Sequence, residues 1–144
     1  MKEVLQYLFD HKTLGKEDAK RILRNMAQGA YNDAEIAAFI SVYLMRSITV
    51  EELAGFRDAL LELCVPVNLS GFNTIDVCGT GGDEKNTFNI STLTSFVVAG
   101  AGEKVAKHGN YSVSSSCGSS NVLEHFGYRF SSDGDVLKKE LDSL

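Results

Sequence analysis

The chain has no tryptophan, a single proline and only three cysteines in 144 residues. Cys64, Cys78 and Cys117 are odd in number and widely spaced, which excludes a disulfide framework and a Cys-x-x-Cys metal site. They read as reduced thiols packed like small apolar residues. Positive charge is scarce as well. A net charge of -5 and a pI of about 5.1 argue against general nucleic-acid binding, which needs a basic footprint. The most apolar window, residues 96–102, is far too short to span a bilayer. The opening MKEVLQYLFDHK has no apolar h-region followed by a small-residue cleavage site, so the reading is a cytoplasmic protein. The Asn-x-Ser triplets at Asn68, Asn89 and Asn110 are then chance or site residues rather than glycosylation points. What is present is ordinary globular composition, 44% hydrophobic and 23% charged, with no low-complexity stretch. The length suffices for a real core.

Residues 1–64 read as helix throughout. Val4, Leu5, Leu8 and Phe9 recur at helical spacing. A second helix is expected over 16–28, with Ala19, Ile22, Leu23 and Met26 on one face and Gly29 as its stop. Asn32 followed by Glu35 is a capping box that opens a third helix, whose stripe is Ile36, Phe39, Ile40, Tyr43 and Leu44. Thr49 with Glu52 repeats the pattern ahead of a stripe of Leu53, Phe56, Leu60 and Leu63. Four short amphipathic helices imply a small bundle.

Character changes in a linker over 65–71, which holds the one proline. From residue 72 strand and helix alternate. Strands are expected over 74–78 and 104–107, with a third over 128–130. Helices are expected from Ser91 or Thr92 to 101, over 118–126 with Gly127 as stop, and over 135–144. That order implies a parallel sheet. The fold class is therefore a helical bundle over 1–64 followed by the start of a parallel-sheet α/β domain over 72–144. A sheet barely begun at residue 144 leaves an open edge, and the expectation is that the chain is a piece of something longer.

The loops carry the chemistry. Gly79-Thr80-Gly81-Gly82-Asp83 puts three glycines in four positions after a strand, which lets backbone N–H groups turn toward phosphate oxygens; a plain glycine-rich turn is the alternative. Neither the Walker A loop nor the dinucleotide fingerprint fits its spacing. Asn89-Ile90-Ser91-Thr92 opens a helix. Its hydroxyls are either a cap or, with the free N–H groups and positive dipole end, part of an anion site that also suits a hydrated Mg²⁺. Lys107-His108-Gly109-Asn110 lies at a strand's carboxyl end, where open parallel sheets bind ligands. Finally, 112–121 has six serines in its first nine residues and leads into a helix at Gly118-Ser119-Ser120-Asn121, another hydroxyl-rich anion loop.

In combination, Asp-Val-Cys-Gly-Thr-Gly-Gly-Asp, Asn-Thr-Phe-Asn-Ile-Ser-Thr, Val-Ala-Lys-His-Gly-Asn and Ser-Ser-x-x-Gly-Ser-Ser, in this order and spacing, closely resemble the anthranilate phosphoribosyltransferase family. The resemblance covers all 144 residues but less than half of a full-length member, and it implies a nucleoside phosphorylase/phosphoribosyltransferase-like fold. The activity it implies is transfer of phosphoribose from phosphoribosyl pyrophosphate to the amine of anthranilate, in tryptophan biosynthesis. By resemblance, Gly79, Gly82, Asp83, Thr87, Asn89, Ile90, Ser91, Thr92, Lys107 and Ser119 hold phosphoribosyl pyrophosphate. His108, Gly109, Asn110, Tyr111, Ser112, Val113, Ser114 and Ser115 form the loop that closes over it. Gly79 and Asn110 touch anthranilate, Ser91 helps hold Mg²⁺, and the helical part joins a homodimer. No residue is assigned as acid or base, because an aromatic amine is already a nucleophile. The departing pyrophosphate instead needs charge neutralisation from Mg²⁺, lysine and aligned N–H groups.

The sequence departs from the family at Ser116 and Asn121, where Lys and Asp are usual. The family's acidic Mg²⁺ ligands and its anthranilate-contacting arginine lie further along than residue 144, so the isolated chain is expected to be poorly active. The alternatives are a pyrimidine nucleoside phosphorylase-like enzyme, which the Asn-Ile-Ser-Thr and Lys-His-Gly-Asn pair disfavours, and a non-catalytic dimerisation or binding module.

Overall fold

A computed structural model describes residues 1–79, 88–112 and 117–143. The chain divides into two compact units, Met1–Val65 and Pro66–Leu144. The first unit consists of α1 (Lys2–Phe9), α2 (Lys16–Ala27), α3 (Asp33–Met45) and α4 (Val50–Leu63). Helix starts follow the local chemistry. The Asn32 side chain accepts the Glu35 N–H at 3.0 Å while the Glu35 carboxylate accepts the Asn32 N–H at 3.1 Å, and Thr49 with Glu52 repeats the exchange. Gly29, at φ +73°, ends α2 in the left-handed region that favours glycine.

Leu8, Leu14, Ala19, Ile22, Phe39 and Val42 form the core of this unit. Phe39, Tyr43 and Phe56 pack edge to face around it. Two of the expected stripes turn inward only in part, through Phe39 and Tyr43 on α3 and Phe56 on α4. On α3, Phe39 and Val42 are buried but Ile40 and Leu44 are exposed. On α4 the buried residues are Glu52, Gly55 and Ala59, while Leu53, Leu60 and Leu63 face outward. The reason is close approach: a Cβ on Gly55 would collide with the Lys16 carbonyl oxygen and stand 2.8 Å from Ala19 Cβ. Helix α4 presents its small residues to α2, and ion pairs Lys16–Asp58 (2.7 Å) and Lys20–Glu62 (2.5 Å) border the contact.

The second unit contains α5 (Ile90–Gly100), α6 (Ser119–His125) and α7 (Gly134–Asp142). Ile75 and Val105 form a parallel bridge, in which the Ile75 N–H donates to the Lys104 carbonyl and the Ala106 N–H to the Ile75 carbonyl. This is less sheet than expected: among the described residues the pairing is that single bridge. The cause is local competition for backbone groups. Asp76 Oδ1 accepts the Cys78 N–H at 2.9 Å, a side-chain turn that takes the backbone off the ladder. The expected strand over 128–130 fails for a similar reason. Gly127 has φ +89°, and the Tyr128 N–H is committed to the Leu123 carbonyl in the C-cap of α6. Helix α7 is held by Tyr128 Oη donating to Glu140 at 2.7 Å and by the Lys104–Asp142 ion pair at 2.7 Å. No helix among the described residues is long and apolar enough to cross a membrane.

Candidate functional site

Described residues of all four singled-out segments meet in the second unit. The Ile75–Val105 bridge sets the segments ending at Gly79 and at Lys107–His108 side by side. Asp76 then joins them: its Oδ1 accepts the N–H of Cys78 at 2.9 Å and that of His108 at 3.3 Å. Across this seam Cys78 Sγ lies 3.6 Å from His108 Nδ1. Gly79 backs onto α5 so closely that a Cβ there would stand 2.9 Å from Ser91 Oγ. Gly109 does the same with α6, where a Cβ would collide with Ser119 Oγ. Glycine is required at both positions by approach, not by backbone angle.

At the start of α5, Asn89 Oδ1 accepts from the Thr92 N–H (3.3 Å), the Thr92 hydroxyl (2.8 Å) and the Ser91 hydroxyl (3.3 Å). Thr92 is buried and its donors close the cap. Ser91, half-buried, keeps oxygen lone pairs for a ligand. Ile90 is exposed at the first turn. Lys107 Nζ donates to the His108 carbonyl at 3.1 Å, which leaves two further ammonium donors.

Asn110 is stitched to the start of α6. Its N–H donates to Ser119 Oγ at 3.3 Å, and its carbonyl accepts the Ser120 N–H at 3.2 Å. Its Oδ1 accepts the Tyr111 N–H at 2.8 Å, and the Tyr111 hydroxyl donates to Glu124 at 2.5 Å. That hydrogen bond to Glu124 raises the Tyr111 phenol above its ordinary range. Asn121 Oδ1 accepts the N–H groups of Ser112 (3.1 Å) and Gly118 (3.0 Å), holding the two ends of the serine-rich loop. A carboxylate at this position could accept the same pair.

The loop 107–111 and the start of α6 enclose a cavity of about 370 Å³. Lys107, His108, Asn110 and Ser119 line its polar side, and Leu123 and Phe130 its apolar side. Gly82, Asp83, Thr87, Val113, Ser114, Ser115 and Ser116 lie outside the described residues. Among the described residues no group of three His, Cys, Asp or Glu side chains gathers as a metal site, and Ser91 offers one hydroxyl oxygen.

Sequence reasoning did not assign a role to Asp76, although it stands in the quoted Asp-Val-Cys-Gly motif, nor to Glu124, Leu123 or Phe130. It also expected packed cysteines, whereas Cys64, Cys78 and Cys117 are all exposed. Each sits on a loop or helix end rather than on a core face.

Residues 2–64 match the glycosyl transferase family, helical bundle domain, and residues 71–144 match the glycosyl transferase family, a/b domain. The chain is 61% identical over 142 residues to an anthranilate phosphoribosyltransferase of Christiangramia forsetii and 62% identical to one of Flavobacterium psychrophilum. Each alignment covers 99% of the chain and 43% of the relative. The chain thus spans less than half the length of these relatives. Among solved structures, the anthranilate phosphoribosyltransferase of Thermus thermophilus superposes with a TM-score of 0.74 at 31% identity, over 87% of this chain and 38% of that one.

Proposed function

Because the chain belongs to the glycosyl transferase family, with both its helical bundle and its a/b domain matched, we propose that it serves anthranilate phosphoribosyl transfer. In that reaction the sugar's bond to pyrophosphate breaks, the anthranilate nitrogen bonds to the same carbon, and the amine releases a proton. The products are N-(5-phosphoribosyl)anthranilate and pyrophosphate. The observation that carries the reading is convergence. Gly79, the start of α5, Lys107–Asn110 and the start of α6 meet through Asp76 and two glycine contacts, with an open cavity beside them.

The chemistry of the site suits the substrates. The Lys107 ammonium and backbone N–H groups are donors for phosphate oxygens, while the Ser91 and Ser119 hydroxyls direct their protons at Asn89 Oδ1 and the Asn110 carbonyl. The Leu123 and Phe130 wall beside Asn110 offers an aromatic ring apolar contact with a polar group at its edge. Ser91 is the hard oxygen donor toward Mg²⁺, which in such sites is carried largely by substrate phosphates and water. When bound, the ion neutralises charge developing on the pyrophosphate. The exposed apolar residues around the α3–α4 turn are the proposed face of a homodimer, and the proposed location is the cytoplasm.

The test separates the two substrates. Calorimetric titration of phosphoribosyl pyrophosphate with Mg²⁺ is expected to show saturable binding that Lys107→Ala weakens by about 1.5–3 kcal/mol, the worth of a charge-assisted contact. Asn110→Ala is expected to leave that titration largely unchanged and to weaken anthranilate binding. No heat beyond dilution from a folded wild-type protein would sink the reading.

A further inference from the structure

We propose that Glu124 is a positioning residue for the anthranilate side of the cavity, acting through Tyr111, whose N–H, ring and hydroxyl reach Asn110, Phe130 and Glu124 in turn. Asn110, Tyr111 and Phe130 line the cavity, whereas Glu124 stands outside it. The identity of the substrate rests on the proposed function; the hold of Glu124 on Tyr111 does not.

Each of the three contacts constrains something different. An N–H needs an oxygen, so the Tyr111 N–H, 2.8 Å from Asn110 Oδ1, fixes which end of that amide is which. The two Nδ2 hydrogens are then the ones left for a ligand. The Tyr111 ring meets Phe130 edge to face, with centroids 6.4 Å apart. Phe130 also meets Tyr128 at 5.1 Å, and Tyr128 is anchored on α7 by its hydrogen bond to Glu140. The apolar wall is thus tied to α7 through Tyr128 and to the 107–111 loop through Tyr111.

The third contact decides where the ring stands. Tyr111 is 49% exposed, and a ring so open to water has more than one rotamer within reach. A carboxylate that accepts from its hydroxyl selects one of them, and a hydrogen bond to a charged acceptor is stronger than a neutral one. The same bond raises the phenol above its ordinary range, so the hydroxyl stays a donor at neutral pH. Glu124 follows Leu123 on α6, and Leu123 lines the same apolar wall as Phe130. Helix α6 therefore carries both a piece of the wall and the group that orients the loop beside it. Lys107 and Ser119 are held by other bonds, to the His108 carbonyl and to the Asn110 backbone. Loss of the Glu124 carboxylate is thus felt by anthranilate and not by phosphoribosyl pyrophosphate.

The experiment compares the folded chain with Glu124→Ala, Glu124→Gln and Tyr111→Phe. Amide hydrogen exchange by NMR is expected to show the Tyr111 N–H exchanging about threefold to tenfold faster in Glu124→Ala, the worth of one ordinary hydrogen bond. Glu124→Gln, whose amide oxygen still accepts, is expected to restore most of that protection. Calorimetry with phosphoribosyl pyrophosphate and Mg²⁺ present is expected to show anthranilate affinity falling by a similar factor in Glu124→Ala, with the affinity for phosphoribosyl pyrophosphate unchanged. In the Tyr111→Phe background Glu124→Ala is expected to add nothing, because the hydroxyl it acts through is gone. Unchanged exchange at Tyr111 in folded Glu124→Ala, or additive losses in the double variant, would overturn the proposal. So would an equal fall in affinity for both substrates, which marks general loosening of the unit. A wild-type chain that binds neither substrate would sink the phosphoribosyl reading and the anthranilate role with it, while the exchange rates still decide whether Glu124 holds Tyr111.

Discussion

Glu52 is fully buried and charged, which is costly unless every lone pair is met. Arg46 donates to both its oxygens at 3.0 and 2.6 Å, the Leu14 N–H at 3.0 Å, Thr49 through backbone and hydroxyl at 2.9 and 3.0 Å, and the Tyr43 hydroxyl at 3.3 Å. Burial alone would raise this carboxyl. The hydrogen bonds from Arg46, Thr49 and Leu14 outweigh it and bring it from the usual 4.5 down to about 2. Burial, then the Glu52 charge, also push the Tyr43 phenol up, so it stays a donor. Because the folded-state value is depressed, the stabilisation is present above about pH 4.5 and is lost as pH falls toward 2. The full difference is about 3 kcal/mol. Urea unfolding at pH 7 and pH 3 is expected to show about 2 kcal/mol of this loss, the rest following as pH falls through 2. Glu52→Ala is expected to cost about 3 kcal/mol at pH 7, since it strands Arg46, and to flatten the acid limb. An unchanged acid limb in the variant would refute the assignment. The capping half of this residue's work was legible in the sequence, because Thr49 is its near neighbour. The other half was not, because Leu14 is 38 positions away and only the tertiary fold brings it close.

Among the elements, the contact of α2 with α4 sets the first unit. Gly55 is its tightest point: an added Cβ would collide with the Lys16 carbonyl oxygen and stand 2.8 and 3.0 Å from Ala19 Cβ and the Lys20 nitrogen. Two of those atoms are backbone and cannot swing aside. Gly55→Ala improves intrinsic helix propensity by about 1 kcal/mol. Forcing two helices apart costs about 1–3 kcal/mol, and backbone contacts this short place it at the upper end. The expected net is a loss of about 2 kcal/mol by urea unfolding, with a gain refuting the packing account. This contact also explains what periodicity could and could not reveal. Helix positions were legible because caps such as Asn32–Glu35 and stops such as Gly29 are local chemistry. The buried face of α4 was not. Leu53, Phe56, Leu60 and Leu63 make the stronger apolar stripe, yet only Phe56 of these packs on the core, and closeness to α2 selects Gly55 and Ala59. Strand propensity likewise pointed to 74–78 and 104–107 but could not register that Asp76 diverts the Cys78 N–H. The site's convergence was legible as motif order, while Asp76 as the joining group emerged only from geometry.

At the scale of the molecule, the first unit shows more apolar surface than a lone unit needs. Leu44, Met45 and Val50 are 82%, 87% and 81% exposed, and Ile48 and Leu53 extend the patch around the α3–α4 turn. Single exposed leucines are ordinary, but five large apolar residues exposed within ten positions of one turn point to an interaction face. A second copy presents the same face, so a two-fold arrangement can bury both patches against each other at once. Helix α3 supports this use: Phe39 and Val42 are satisfied within the unit, whereas Ile40, Leu44 and Met45 have apolar surface facing outward. A charge placed at the centre of the patch leaves the internal core untouched and must be desolvated on pairing. Sedimentation equilibrium is therefore expected to give a dimer for the wild type and a monomer for Leu44→Glu, with helical circular dichroism the same in both. A wild-type monomer at high concentration would sink the self-association. A Leu44→Glu protein that stays dimeric would move the interface away from the α3–α4 turn, since a buried carboxylate at so exposed a position has no partner there to offset its desolvation.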